Sequence, residues 1–244
     1  DNSTYQLVHR NDMLDVPLTQ LVAEGNITLA RLTEIMTDAG VTDLRGQEIL
    51  PAAIDLLNRD SISGDISEAL NLLQTWHDNG AWRRDRNNDG RYDEEAAVAL
   101  MDAWYTRMIE RLLPQVTALE NTGAGNLAPV GRDNRPGDMG SAYQSGYYGY
   151  LRRTLDMALG QSPAPYRALR CADSDDADAC RTALMLSLVD AMDDLGCIGN
   201  RDNWSVNMMN DAIQHRAIGL SSVRATHWQN RPTFQQAVEF RSRR

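Results

Sequence analysis

Apolar residues in the first half of the chain recur at helical spacing. Leu14, Leu18, Leu21 and Val22 stand at positions i, i+4, i+7 and i+8, which places them on one face of a helix. Thr28 is a suitable N-cap for the helix that follows Gly25. The pattern predicts further helices, which we place at residues 28–40, 43–59, 66–78 and 94–115. This half of the chain is therefore expected to be almost entirely helical.

The second half is organised differently. Residues 121–141 are dense in Gly, Pro, Asn and Asp, which is typical of a long loop. Helices are predicted beyond it at residues 143–159, 179–195 and 204–215. Near the end, Phe234, Gln236, Val238 and Phe240 alternate with their neighbours, which predicts a strand. A lone strand cannot pair its backbone groups, so we expect its partner strands in another part of a larger protein.

The predicted fold class is thus mainly α with a late β-strand. We divide the chain into a helical segment at 1–120, the loop at 121–141 and a helical segment at 142–244 that ends in the strand. The three parts are expected to form one continuous domain. Because the sequence opens on Asp1 and not on Met, we interpret the chain as processed or excised from a longer protein.

Charge and hydropathy exclude two kinds of partner. The 244 residues carry a formal net charge of -10, whereas nucleic acids require a concentrated basic surface. No apolar run approaches the ~18 residues of a membrane span. All basic residues are Arg, so a Lys nucleophile or Schiff base is impossible. We predict neither a nucleic-acid partner nor a membrane partner.

The three cysteines indicate an oxidising compartment. Cys171 and Cys180 flank a short, Asp-rich stretch, a spacing that suits a disulfide, and two free thiols are the alternative. A zinc site would need a CxxC pair or a nearby His, and neither is present. Cys197 is left over, and we expect it to be buried and inert or else a reactive thiol. The predicted localisation is secreted or periplasmic.

The motif with the most chemistry is DRNNDGRYDEE at 85–95, between two predicted helices. Asp85, Asn87 and Asp89 occupy positions 1, 3 and 5 of an EF-hand-type loop. Gly90 supplies the sharp turn at position 6, while the carbonyl of Arg91 and the side chain of Asp93 fall at positions 7 and 9. Alternating oxygen ligands suit a hard cation, whose charge cancels the repulsion between the carboxylates. We therefore predict a structural calcium site.

The loop departs from the EF-hand pattern at position 12. Ala96 stands where the bidentate Glu is expected, and Glu94 and Glu95 lie one or two places early. Coordination is therefore expected to be weaker or altered. The alternative interpretation is an acidic helix N-terminus, where negative side chains favour the helix dipole without any metal.

Several segments, taken together, resemble the C-terminal part of the penicillin acylase (penicillin amidase) family. They are RRDRNNDGRYDEEAAVALMDAWY, GSAYQSGYYGYLRRTLDMALG, CADSDDADACRTALMLSL and HWQNRPTFQQAVEF. They occur in the family's order and span residues 83–240. The helices before residue 83 fit the same region more loosely.

The resemblance implies an amide hydrolase with an N-terminal nucleophile and an αββα sandwich fold. In that family the freed α-amine of a terminal Ser activates its own hydroxyl, and an oxyanion hole stabilises the acyl transfer. No position here matches a catalytic residue, so we expect the nucleophile and oxyanion donors in an upstream chain. That chain and a small acylated amine substrate are the implied partners. The substrate could be a β-lactam, a homoserine lactone or a lipopeptide.

Two other functions are compatible with the residues. A calcium-dependent helical interaction module of the dockerin kind shares the DxNxDG loop. Dockerins normally duplicate that loop, and no second copy is found here; DNRPGD at 133–138 lacks the spacing. An all-helical structural protein without a ligand is the third possibility.

Overall fold

The computed structural model describes residues 9–58, 62–115, 148–161, 170–174, 176–212, 219, 223–229 and 238. These residues are mainly helical, as predicted. The α-helices are α1 (His9–Glu24), α2 (Leu29–Val41), α3 (Leu50–Leu57), α4 (Asp65–Asp78), α5 (Glu95–Leu112), α6 (Tyr148–Ala158), α7 (Ala177–Leu195) and α8 (Met208–Asp211). The predicted strand lies outside the described residues except for Val238, and so does the loop at 121–141.

Most helices begin and end close to the predicted positions. The side chain of Thr28 accepts a hydrogen bond from the amide of Arg31 at 3.2 Å and caps α2, as expected. The carboxylate of Asp176 caps α7 by accepting from the amide of Asp178 at 3.0 Å. None of the described helices combines the length and the apolarity that crossing a bilayer requires.

The helix predicted over 43–59 is present from residue 44 to residue 57, but it begins with a π-helical turn that was not predicted. The segment divides into a π-helix, Arg45–Ile49, and α3, whose first turn contains Pro51. Proline has no amide hydrogen, so it cannot continue an α-helical ladder from the preceding turn. In addition, the side chain of Asp43 accepts from the amide of Arg45 at 3.0 Å, which fixes the chain just before the π-helix. Wide π turns of this kind are rare and often lie at functional sites.

The predicted helix at 204–215 is wrong in its bounds. A 3-10 helix, Ile198–Asn203, comes first, and an extended segment follows it. The short α8 starts only after Asn207, whose side chain accepts from the amide of Met209 at 3.0 Å. Trp204 is 3% exposed, so the extended backbone at this point carries a large side chain into the core. Residues 213–218 lie outside the described part.

The core is centred on α5, which packs along α7. Most buried residues of α5 are apolar, and Trp104, Met108 and Leu112 are completely buried. The indole nitrogen of Trp104 donates to the hydroxyl of Ser187 at 2.8 Å, which satisfies two polar groups inside the core. Burial of this many large side chains supplies the main driving force for the fold.

Helices α1 and α2 form a hairpin at the edge of the structure. They pack chiefly against each other, and Arg31 forms an ion pair with Glu24 at 2.5 Å. Val22 and Ile27, near the tip of the hairpin, are 64% and 58% exposed. Few apolar contacts therefore hold the hairpin tip, in contrast to the α5–α7 pair.

Candidate metal centre

The acidic loop, residues 85–95, connects the α4 side of the core with α5. Its entrance is fixed by backbone hydrogen bonds, in which the amide of Asp43 donates to the carbonyl of Ala81 and that of Arg83 donates to the carbonyl of Val41, both at 2.8 Å. The amide of Asp93 donates to the carbonyl of Arg84 at 2.8 Å and closes the base. The residues between these anchors form a closed loop.

Two predicted ligands, Asp85 and Asn87, accept hydrogen bonds from backbone amides within this loop. One carboxylate oxygen of Asp85 accepts from the amide of Asp89 at 3.2 Å, and the other accepts from the amide of Gly90 at 2.9 Å. The amide oxygen of Asn87 accepts from the same Asp89 amide at 3.1 Å. Gly90 has φ +86°, the left-handed conformation that the sharp turn requires. The loop backbone therefore brings the oxygens of Asp85 and Asn87 to the same amide.

The loop also holds Asp89 and Arg91. The carboxylate of Asp89 accepts from the amide of Arg91 at 2.9 Å and from the side-chain nitrogen of Asn87 at 2.8 Å. The possible metal ligands at this turn are the carboxylate oxygens of Asp85 and Asp89, the amide oxygen of Asn87 and the backbone carbonyl of Arg91. Calcium prefers oxygen ligands of these kinds. The chemistry of the donors at the Gly90 turn therefore fits a hard cation.

Two further acids of the motif, Asp93 and Glu95, form ion pairs with arginines of the same loop. Asp93 accepts from the amide of Arg86 at 3.0 Å and lies 3.6 Å from its guanidinium. Glu95 is 7% exposed and accepts from the amide of Val206 at 3.1 Å and from the side chain of Arg91. Within the part of the chain that the structure describes, no three acidic, His or Cys side chains group as metal ligands. A bound cation would therefore rely on Asp85, Asn87 and Asp89, unless Asp93 leaves Arg86.

Glu94 connects the loop to the end of α4. Its carboxylate accepts from the side-chain nitrogen of Asn79 at 2.8 Å. Burial raises the pKa of Glu94, and the negative charge of Asp93 adds to the increase, while the hydrogen bond from Asn79 opposes it. The acidic side of the loop thus includes one carboxyl that resists ionisation.

A largely buried ion cluster lies behind the entrance of the loop and consists of Asp43, Arg45, Arg83 and Asp102, of which Asp102 is partly exposed, at 28% of its side chain. Arg45 donates to both oxygens of Asp43, at 2.9 and 2.5 Å. Arg83 donates to both oxygens of Asp102, at 2.6 and 3.0 Å. Cross pairs complete the set, with Arg45 2.6 Å from Asp102 and Arg83 3.4 Å from Asp43.

Charge compensation in this cluster is reflected in the pKa values of its acids. Burial alone would raise the pKa of Asp43, but the charge and hydrogen bonds of Arg45, together with the charge of Arg83, lower it below its usual range. The pKa of Asp102 is lowered by the same two arginines against the same effect of burial. The guanidinium of Arg83 also lies 5.1 Å from the ring of Tyr92 and thereby contacts the loop.

Apolar periodicity did not predict this cluster, because the contacts Arg83–Asp43 and Arg45–Asp102 span 40 and 57 residues of the chain. The local signal was the run Trp82–Arg83–Arg84 just before an acidic loop. The cluster holds the loop entrance in place and is not itself a candidate metal site.

A disulfide stabilises the other end of α5. The structure bonds Cys171 to Cys180, the predicted pair, with their Cα atoms 5.2 Å apart. The amide of Ala172 donates to the carbonyl of Leu112 at 2.9 Å and satisfies a carbonyl at the C-terminus of α5. Because Cys180 is fully buried in α7, the bond joins this turn to the core.

The expectation of a buried Cys197 is wrong. Its thiol is exposed, and the residue lies at the start of the 3-10 helix. Gly196 ends α7 with φ +94°, and Cys197 lies on the solvent side of the turn that leads to the buried Ile198.

No protein-family model matches the sequence. The structure is similar to that of a thermostable penicillin G acylase from Alcaligenes faecalis, with a TM-score of 0.58 at 17% sequence identity. The match covers 94% of this chain and 41% of that chain. The chain therefore shares its fold with that acylase and spans less than half of the acylase chain.

Proposed function

We propose that the chain is the helical C-terminal portion of a secreted amide hydrolase of the penicillin acylase type. The observation that carries the proposal is the structural similarity over 94% of the chain. The sequence supports it independently, because four segments between residues 83 and 240 occur in the order typical of that family. The reaction would release an acyl group from an amine.

In this proposal the chain itself has a structural role. The catalytic Ser and the oxyanion donors would belong to the remainder of the acylase, which forms the αββα sandwich and accepts the late strand. The tightly packed α5–α7 pair and the disulfide between Cys171 and Cys180 suit a rigid covering layer. The disulfide also supports an oxidising compartment, hence secretion or the periplasm.

The proposal includes a structural calcium ion at the acidic loop. Asp85, Asn87 and Asp89 would hold it with the carbonyl of Arg91, and Asp93 would contribute through a water or after leaving Arg86. The ion would supply positive charge between carboxylates that otherwise repel each other. It would thereby stiffen the connection between α4 and α5.

A calcium-dependent interaction module of the dockerin kind is the second candidate. The inward-facing oxygens of the loop favour this candidate, since dockerins contain the same DxNxDG motif. The fold similarity favours the acylase, because it extends over nearly all of the chain and not only over the loop. The two candidates differ in whether the chain completes a catalytic unit.

The test is reconstitution of amidase activity. The chain is assayed alone and after co-expression with the upstream portion that the proposal requires, using phenylacetyl and long-chain acyl chromogenic amides. The chain alone should be silent, and the combination should turn over one of these amides. The matched control is the same combination with its N-terminal Ser replaced by Ala, which should remove turnover and leave assembly intact.

Two results would overturn the proposal. One is a complex that assembles but hydrolyses neither amide. The other is turnover by the isolated chain that is lost through a point change within residues 1–244, because the active site would then lie in this chain. Assembly with an unrelated partner in the presence of calcium alone would favour the interaction module.

A further inference from the structure

A cleft separates the α1–α2 hairpin from the rest of the structure. Its volume is about 380 Å³, within the range of small-molecule sites. Met13, Val16 and Pro17 of α1 and Ile35 of α2 form an apolar wall. Val16 is 58% exposed, so the apolar surface continues out of the cleft to solvent. The cleft lies apart from the ligand residues of the acidic loop.

The rest of the lining is polar and acidic. Gln47 and Glu48 reach it from the π-helix, and Asp38 reaches it from α2. Because the π turn is wider than an α turn, it changes the direction in which consecutive side chains project. Among the described residues that line the cleft, two are carboxylates and none is a cation.

Both carboxylates are ion-paired but remain partly exposed. Asp38 binds Arg84 through Oδ1 at 2.9 Å, and its side chain is 37% exposed. Glu48 lies 3.6 Å from Arg152 through Oε2, and its side chain is 30% exposed. Because both residues line the cleft, their exposed carboxylate surface is available to a ligand there.

The cleft thus combines an apolar wall, an aromatic ring and acidic groups. Trp82 lies at one end, packed so closely on Gly80 that a Cβ there would fall 2.6 Å from its ring. The ring already accepts the guanidinium of Arg84, 3.4 Å from its centroid, as electron-rich aromatic faces do. A ligand that matches all these features carries a positive charge on an apolar body.

We propose that this cleft binds a small organic ammonium ion with an aryl or alkyl body. The apolar part would lie against α1 and Ile35, and the ammonium group would face the exposed carboxylate surface of Asp38 and Glu48. This inference stands on the cleft alone and is independent of the acylase proposal, the calcium ion and the reconstitution experiment.

The experiment is isothermal titration calorimetry of the full chain with three ligands of one shape. These are 3-phenylpropylamine, the neutral 3-phenylpropanol and the anionic 3-phenylpropanoate. The ammonium should bind about five- to tenfold more tightly than the alcohol, since two partly exposed ion pairs contribute up to about that factor. The carboxylate should bind least well.

Variants assign the binding to this cleft. Glu48→Gln should weaken ammonium binding about threefold, and Glu48→Gln with Asp38→Asn should make the ammonium and the alcohol equal. Ile35→Ser should weaken both ligands by the same factor. The matched control is Glu34→Gln, an exposed acid on the same helix that does not line the cleft. Circular dichroism melts would verify that each variant is folded.

Three outcomes would overturn the inference. The alcohol or the carboxylate could bind as tightly as the ammonium, which would remove the role of the acids. Ammonium binding could persist unchanged in the double variant, which would place it elsewhere. Alternatively, no ligand could saturate the chain below ~10 mM, an affinity of less than about 3 kcal/mol that would not represent a site.

Discussion

The buried ion cluster and the acidic loop hold their carboxylates in different ways. In the cluster, Asp43 and Asp102 each face both Arg45 and Arg83, so the cations are part of the fold. In the loop, Asp85 and Asp89 accept hydrogen bonds from backbone amides and form no ion pair with described residues. A buried carboxylate requires a cation within the fold, whereas the carboxylates of a solvated loop can remain unpaired and bind an added metal ion.

The first test breaks the cluster. Arg83→Met should lower the free energy of unfolding by about 3–5 kcal/mol, because the buried Asp43 and the partly exposed Asp102 would then share Arg45. Urea unfolding of both proteins measures the difference. The control is Arg201→Met, which removes an exposed pair with Glu68 and should cost less than about 1 kcal/mol. Equal effects of the two variants would mean that the cluster contributes no more than a surface pair.

The second test asks whether removing the disulfide at the C-terminal end of α5 affects the acidic loop at its N-terminal end. Replacing Cys171 and Cys180 by Ser should cost about 2–3 kcal/mol, from the loop entropy that the disulfide removes in the unfolded chain. The disulfide turn contacts the C-terminus of α5, about 27 Å along the helix from the acidic loop. The response of the loop to calcium should therefore be unchanged, as measured by melting with and without the ion.

The disulfide assignment has its own check. Non-reducing peptide mapping should recover Cys171 bonded to Cys180, and a thiol reagent should label Cys197 in the folded protein because it is exposed. Recovery of Cys197 bonded to either of the others would contradict the assignment. Replacing Cys197 by Ser is the matched control and should leave stability nearly unchanged.

The third test concerns the acidic loop. Calcium that binds only the folded chain stabilises it by about 1.4–2.7 kcal/mol at a ten- to hundredfold excess over Kd. Because Ala96 replaces the bidentate ligand, we expect a Kd of roughly 10⁻⁴ to 10⁻³ M. Melting with calcium and with a chelator measures the gain. Asp85→Ala and Asp89→Ala should each remove most of it.

Asp93→Ala is the matched variant of the same loop. It should remove less of the gain, because Asp93 binds Arg86 and would reach the ion through a water. An unchanged melt of the wild-type chain at about 10 mM calcium, a tenfold excess over the weakest expected Kd, would show that the loop is an acidic turn without a metal. Equal losses in all three variants would instead indicate that Asp93 ligates directly.

Local features of the sequence were predictable and non-local ones were not. Spacing within a single segment indicated the helices, the Thr28 cap and the turn at Gly90, because each depends on residues a few positions apart. The π-helix was missed, since the buried pairing of Asp43 with Arg45 combines with Pro51 to redirect the chain. The exposure of Cys197 was not predicted, because it depends on how the chain turns at Gly196 after α7.

The smallest effect is expected at Glu94. This residue belongs to the acidic loop, but it is partly buried, as Asp102 of the ion cluster is. Burial raises the pKa of Glu94, while nearby arginines only partly oppose the increase. A carboxyl whose folded pKa is raised contributes stability below its unfolded pKa, and that contribution is lost as pH rises through the folded pKa. Glu94→Gln should therefore be more favourable, relative to wild type, at pH 7 than at pH 4.

Urea unfolding at the two pH values measures this difference. Glu34→Gln, on the exposed face of α2, is the control for removal of a surface carboxylate. Calcium should reduce the effect of Glu94→Gln, because a bound cation next to Asp93 would lower the negative potential that Glu94 experiences. If Glu94→Gln is instead less favourable at pH 7, the charged form is the stabilising one. The N-terminus of α5 would then outweigh burial, and Glu94 would resemble the acids of the buried cluster.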